Sequence, residues 1–448
     1  MRGEWMRPEG LSADARKATE YVRRADIVVG IPSYNNGRTI GHVVRAVHVG
    51  LAKYFPQLTA VIVNSDGGST DCTREAVLSA RIDDPHLLLL STPTTGAHRL
   101  SFPYHGIPGK GSAFRLIFEI AERLEARVCV VVDADLRSIA PEWIDQLIRP
   151  VLFAQYDLVT PYYHRHKYDG TITNNIVYPL TRSLYGVSVR QPIGGEFGLS
   201  NRLFRRFFER HDWDTDVARY GIDIWMTTIA IAEGFRVCQG FLGAKLHDPK
   251  DPGASLSDML KQVVGSVFAL MVEYETVWKT RVGSSPTELF GFQFDVGVEP
   301  ISVGVDRMAG AFRQGYRELD EIWPLALRPA TFAAVRDLAS SPDDSPLRFP
   351  DPLWVDVILD FACAFKHQPV ERGHLLSALT PLYLGRVAST VNQMEALSPS
   401  EVETAIERLC VLFETAKGGL VTQWDNLQPE VQPVASPAVL AEKVECHD

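Results

Sequence analysis

The sequence predicts an α/β protein: a mostly parallel, Rossmann-like sheet with helices on both faces, followed by an α-helical region. Three observations carry this expectation. Short apolar runs alternate with helical segments from Asp26 to about residue 250, the spacing of βαβ units. Polar turns follow the first runs, and open α/β sheets bind ligands beyond the carboxyl ends of their strands. From about Ser255 the pattern becomes long stretches of helical periodicity.

Taken in order, residues 1–24 read as a helical lead-in. Asp26–Ile31 reads as a strand, followed by a turn and a helix from about Thr39 to Lys53. Leu58–Asn64 is a second strand, then come a polar turn, a helix and a third strand at His86–Leu90. Gly109-Lys110-Gly111 opens a helix to about Leu124, and Val128–Val132 is a strand that runs into Asp133-Ala134-Asp135. A short, wholly apolar run of this kind is a buried parallel strand. Asp157–Pro161 and Arg236–Phe241 read as further strands. Beyond them Leu256–Lys279, Val305–Tyr316, Pro352–Phe365 and Pro399–Ala416 read as helices. The expected division is a lead-in at 1–24, a catalytic domain at 25–254, a helical domain at 255–427 and a disordered tail at 428–448. The apolar faces of the helical domain are expected to pack on the catalytic domain and to build a homo-oligomer interface.

Composition narrows the classes of function. A net charge of −10 argues against a nucleic-acid binder, which usually carries a basic face. Six scattered cysteines with no C-x-x-C pair fit a reducing cytoplasm and no zinc site. No apolar stretch approaches the ~18–20 residues of a membrane span.

Four turns carry candidate chemistry. Pro32-Ser33-Tyr34-Asn35-Asn36, after the first strand, offers polar groups to edge a nucleobase; it also reads as an ordinary capped turn. Ser65-Asp66-Gly67 and the residues after it add acceptors and glycines that allow close approach; by itself the segment is a good N-cap. Gly109-Lys110-Gly111 sets a lysine at a helix start, a favourable place for phosphate. Asp133 and Asp135 put two carboxylates at the end of a buried strand, where hard divalent cations find oxygen ligands. D-x-D also occurs at 212–214 and 214–216 with no strand before it, and those acids read as surface residues.

The order Pro-Ser-Tyr-Asn, Ser-Asp-Gly-Gly-Ser-Thr-Asp, Gly-Lys-Gly, Asp-Ala-Asp resembles the nucleotide-diphospho-sugar glycosyltransferases of the GT-A fold. Gln191-Pro192-Ile193-Gly194-Gly195-Glu196, Tyr220-Gly-Ile-Asp223 and Gly243-Ala-Lys-Leu-His247 resemble the retaining enzymes that make glucosyl-3-phosphoglycerate, glucosylglycerate and mannosylglycerate. The similarity spans roughly residues 26–250, and Leu382-Tyr-Leu-Gly-Arg386-Val resembles the C-terminal part of the glycerate-using members.

The resemblance implies a metal-dependent transferase moving a hexose, glucose before mannose, from a nucleoside-diphosphate sugar. Asp135, helped by Asp133, would bind Mg²⁺ or Mn²⁺ on the diphosphate, with His247 completing the shell. The nucleotide site would comprise Pro32, Ser33, Tyr34, Asn36, Ser65, Asp66, Gly67, Lys110 and Ala134, with Lys110 against the phosphates. Asp223 would reach the sugar near the reacting carbon. Ile193, Gly194, Gly195 and Glu196 would form the acceptor and sugar pocket, with Thr171 and Thr173.

One departure bears on the acceptor. Where phosphoglycerate-using relatives offer an arginine to the acceptor phosphate, this chain has Thr171. Bidentate arginine is the favoured phosphate partner, so its loss points to D-glycerate as acceptor. Arg165 and Lys167 stand close enough in sequence to keep 3-phosphoglycerate as the alternative. Membrane-bound processive transferases are disfavoured, because the Gln-x-x-Arg-Trp motif and membrane spans are both missing. A sugar nucleotidyltransferase would need a Gly-rich signature with Arg and Lys after the first strand, and Tyr34-Asn35-Asn36-Gly37 does not supply one.

Overall fold

Side chains of consecutive strand residues point to opposite faces, and the central strands obey this strictly. Val128 and Val130 enter one apolar cluster, while Cys129 and Val131 enter the other. A four-residue run with no polar position is therefore covered on both sides. Each buried aliphatic side chain of this kind contributes about 1.5–3 kcal/mol.

The computed structural model describes residues 11–80, 98–103, 107–246, 252–294, 296–342 and 346–426. Its strands are β1 (Ile27–Ser33), β2 (Ala60–Asp66), β3 (His98–Pro103), β4 (Val128–Val131), β5 (Leu158–His164), β6 (Val187–Ser188), β7 (Phe197–Ser200), β8 (Val237–Ala244), β9 (Ser285–Pro286) and β10 (Leu289–Phe290). Eight of them form one sheet in the order β10-β8-β5-β7-β4-β1-β2-β3, and β6 pairs separately with β9. β1 runs parallel to β2 and β4, and β5 runs parallel to β8. β7 is antiparallel to both of its neighbours, β4 and β5. That reversal matters for the site. The parallel strands deliver their exit turns to the carboxyl edge of the sheet, and β7 delivers its entry turn, Gly194-Gly195-Glu196, to the same edge.

Helices Ile40–Tyr54 and Pro141–Ala154 cover one face, and helix Lys110–Arg123 covers the other. On that second face the core continues without a break into the C-terminal helices, through Phe268, Phe365, Tyr383 and Trp424. Two glycines let those helices approach closely. A Cβ on Gly315 would stand 2.4 Å from Pro381, and one on Gly385 would stand 2.7 Å from Phe312. No described helix is long and apolar enough to cross a membrane.

The architecture is the expected one: a mostly parallel sheet with helices, then a helical region. The departures have local causes. The strand expected at His86–Leu90 and the tail expected at 428–448 lie outside the described residues. β3 occupies His98–Pro103, a stretch expected to be loop; among the described residues it pairs only with β2, at the edge of the sheet, where a two-sided apolar run is not needed. Helix Arg372–Met394 was masked in the sequence by Pro381 and two glycines, and packing on helix Val305–Glu318 overrides those breakers.

Candidate active site

A cavity of about 1000 Å³ opens at the carboxyl edge of the sheet. Its first wall is made by the turns after β1 and β2, which clamp each other. Asn35, at φ +54°, accepts from the Thr70 amide at 2.9 Å, and its own amide donates to Ser69 Oγ at 2.8 Å. The Gly37 amide donates to Asp71 Oδ2 at 2.9 Å. This bracing presents Pro32, Ser33, Tyr34, Asn36, Gly67 and Gly68 to the cavity, with Tyr34 62% exposed. Ser65 and Asp66 do not line it. Ser65 is fully buried, and Asp66 is spent holding its own turn, accepting from the amides of Gly68 and Ser69 and from Ser33 Oγ.

The floor is a ladder of alternating charge. Lys110 Nζ lies 3.1 Å from Asp223 Oδ2 and 2.9 Å from Asp133 Oδ1. Lys245 Nζ lies 2.9 Å from Asp133 Oδ2 and 2.9 Å from Glu196 Oε1, and it also donates to the Gly194 carbonyl at 2.8 Å. The hydroxyl of Tyr163 closes the ladder by donating to Glu196. Burial works against the charge on Asp133, but Lys110 and Lys245 outweigh it and hold its carboxyl well below the usual range. Asp223 goes the other way: burial raises it, with Lys110 pulling it down. Burial also pushes Glu196 up to about 7 against the pull of Lys245. Asp223 stands in the first turn of helix Ile222–Ala232, a favourable end for a carboxylate, and its Oδ1 is buried with no hydrogen-bond partner among the described residues.

Glycine is required at two points around this ladder. Gly195 has φ +98°, and a Cβ there would fall 2.3 Å from Asp133 Oδ2. A Cβ on Gly111 would fall 1.7 Å from the Val217 carbonyl. The second finding changes the meaning of Gly-Lys-Gly. Its glycines let the helix start press against the 216–219 turn, and that packing aims Lys110 at the two aspartates.

Asp135 and Ala134 line the cavity beside Asp133, in a turn fixed by Thr39 Oγ1 donating to the Ala134 carbonyl at 2.7 Å. The same segment is laced to the end of β8: the Arg137 amide donates to the Leu246 carbonyl at 2.9 Å, and the Leu246 amide donates to Ser138 Oγ at 2.9 Å. His247 lies outside the described residues. Among the described residues, no group of three or more His, Cys, Asp or Glu forms a cage for a metal ion. A Mg²⁺-type ion held on a diphosphate takes only one or two protein carboxylates, so Asp135, with a spare lone pair on Asp133, fits that chemistry.

The opposite wall carries Thr171, Thr173, Ile193, Gly194 and Gly195. Thr171 and Thr173 belong to a tight stretch that becomes a π-helical turn at Thr173–Val177, a form frequent at functional sites. Glu196 departs from the expected acceptor role. Fully buried behind Lys245, it has no surface to offer an acceptor. Arg165 lines the cavity, pairs with Asp169 at 3.2 Å and has a buried Nε with no partner among the described residues. Lys167 is turned away, donating to the carbonyls of Glu395 at 2.6 Å and Leu397 at 3.3 Å.

Lys245, Tyr163 and Tyr383 were not anticipated as site residues. Lys245 stood inside the quoted Gly-Ala-Lys-Leu-His segment, but nothing local reveals that its partner is Asp133, 112 positions earlier.

A mostly parallel sheet with a D-x-D turn, a lysine and sugar-sized space at its carboxyl edge defines a GT-A-type glycosyltransferase. The family model described as "Mannosylglycerate synthase, GT domain" matches residues 43–272, half of the chain, and the chain belongs to that family of glycosyltransferases. Among solved structures, glucosyl-3-phosphoglycerate synthase from Mycobacterium tuberculosis in complex with Mg²⁺ and UDP is 21% identical, with a TM-score of 0.41 over 59% of this chain and 85% of that one. The same enzyme with Mn²⁺, UDP and phosphoglyceric acid is 22% identical, with a TM-score of 0.42 over 59% of this chain and 84% of that one. No curated protein matches the chain.

Proposed function

We propose that the protein is a divalent-metal-dependent, retaining hexosyltransferase that moves glucose or mannose from a nucleoside diphosphate to D-glycerate. The observation that carries the reading is Asp223. It is 7% exposed and lines the cavity, and among the described residues one of its oxygens has no hydrogen-bond partner while Lys110 holds the other. A buried acceptor atom left open in a cleft is suited to a sugar hydroxyl or to charge developing at the anomeric carbon. Family membership supports transfer to glycerate and brings mannose level with glucose as the sugar.

In this reading residues 25–254 carry out transfer and 255–427 support the acceptor wall. Tyr34, Ser33, Asn36 and Gly67 meet the nucleoside. Asp135, with Asp133 and His247, would hold Mg²⁺ or Mn²⁺, which as a Lewis acid would stabilise the departing diphosphate. Lys110, fixed between two aspartates, adds a pre-oriented positive charge that needs no reorganisation as the bond breaks. The anomeric C–O bond to phosphate breaks while the glycerate oxygen bonds the same carbon on the same face. The glycerate proton passes to the leaving diphosphate. Thr171 and Thr173 would receive the glycerate carboxylate or hydroxyl.

One observation favours a second acceptor, 3-phosphoglycerate: Arg165 lines the cavity, and its buried Nε has no partner among the described residues. A nucleotide-release assay separates the two. UDP-glucose, GDP-glucose and GDP-mannose would each be offered with D-glycerate or 3-phosphoglycerate, with and without Mg²⁺. Release that needs glycerate and metal is expected; release with neither acceptor overturns the reading, and metal-independent release removes the role of Asp135.

A further inference from the structure

Helix Arg372–Met394 touches the cavity wall through a pair of hydroxyls. Thr171 Oγ1 and the Tyr383 hydroxyl lie 2.6 Å apart, and both side chains are buried. The turn itself is held by other bonds. Asn175 Nδ2 donates to the Thr171 carbonyl at 3.0 Å, and Trp354 Nε1 donates to the Asn175 carbonyl at 2.7 Å. Arg386 Nε and Thr390 Oγ1 donate to Asn175 Oδ1 at 2.9 Å and 3.1 Å. The Tyr383 contact is therefore not what folds the turn. It acts on the threonine hydroxyl alone.

Proton accounting sets its direction. A phenol has one proton to donate, and a buried donor left unpaired is costly. Tyr383 is 1% exposed, and among the described residues Thr171 is the partner of its hydroxyl. Burial also raises the Tyr383 phenol, so it keeps its proton. Tyr383 therefore donates and Thr171 accepts. The proton of Thr171, which lines the cavity, is left to point into it.

We infer that Tyr383 is a positioning residue that fixes Thr171 as a hydrogen-bond donor toward the sugar acceptor, favouring an acceptor that presents a carboxylate or hydroxyl oxygen there. The inference rests on the reading that the acceptor sits against Thr171. It adds a residue of the helical region to acceptor selection, and it gives Thr171 a direction that a lone threonine lacks.

Tyr383→Phe keeps the ring and removes only the oxygen, and Thr171→Val removes the hydroxyl it acts on. Each is expected to raise the acceptor KM about three- to tenfold, the value of one neutral hydrogen bond, with kcat and donor KM within about twofold of wild type. The double variant is expected to be no worse than Thr171→Val, because the two changes remove one device. An acceptor KM unchanged in Tyr383→Phe, or multiplicative effects in the double variant, overturns the inference while wild-type transfer leaves the functional reading standing. No transfer by the wild type to either acceptor overturns both.

Discussion

The rim turns and the charge ladder beneath them are built in opposite ways. The rim at 32–37 and 65–71 is local: short segments cap themselves and each other, and apart from Ser33 and Ser65 their residues stay at least partly exposed. The ladder is assembled from residues 110, 133, 196, 223 and 245, of which Glu196, Asp223 and Lys245 are buried and Lys110 and Asp133 partly so, and it is held by long-range ion pairs. The rim is suited to recognition, where each contact is modest and replaceable. The ladder is suited to electrostatics, because its charges are fixed before any substrate arrives and are worth more away from water.

Breaking the ladder should cost most. Lys245→Met strips the cation from Glu196, while Asp133 keeps Lys110, and leaving a buried carboxylate without its partner costs about 3–5 kcal/mol. Chemical denaturation of the variant is expected to show that loss; an unchanged midpoint would mean that the ladder is ornamental. Asp223→Ala is expected to lower kcat about 10²–10³-fold, the range for a residue that stabilises a transition state. Donor-nucleotide affinity measured by calorimetry should stay within a few-fold. Unchanged turnover sinks the role given to Asp223.

A pH series sharpens the same contrast. Glu196 has its folded pKa raised from 4.5 to about 7. The fold then binds the proton more tightly than the unfolded chain does, so this group's stabilisation is fully present below about 4.5 and is lost as pH rises through about 7. Glu196→Gln should flatten the fall in stability across that window, and an identical pH profile in both proteins would contradict the burial assigned to Glu196. On the rim, Tyr34→Ala should raise the donor KM only about fivefold, the worth of one exposed aromatic contact, and leave kcat alone. A collapse of kcat there would erase the distinction between rim and ladder.

The same contrast explains what could be read from the chain. The strands at 27–33, 60–66 and 128–131 announced themselves because burial on two faces demands apolar runs. Tyr34, Asn36 and Asp135 line the cavity, since a strand's end marks the turn that follows it. The motif around Glu196 implies an acceptor role; only the antiparallel entry of β7 and the reach of Lys245 show why the side chain is buried instead. Lys245 and Tyr383 lie inside segments that carry the family resemblance, but their roles are not legible there. Their partners, Asp133 and Thr171, lie 112 and 212 positions away, and nothing but the folded chain brings them together.

The account stands most directly on the identity of the product. The enzyme with Mn²⁺ and an α-linked nucleoside-diphospho-hexose would be incubated with D-glycerate, and the product read by mass spectrometry and proton NMR. A hexosylglycerate that keeps the donor's α configuration, formed in step with nucleotide release, is the predicted result. A β-configured product, or nucleotide release at the same rate without glycerate, would contradict it.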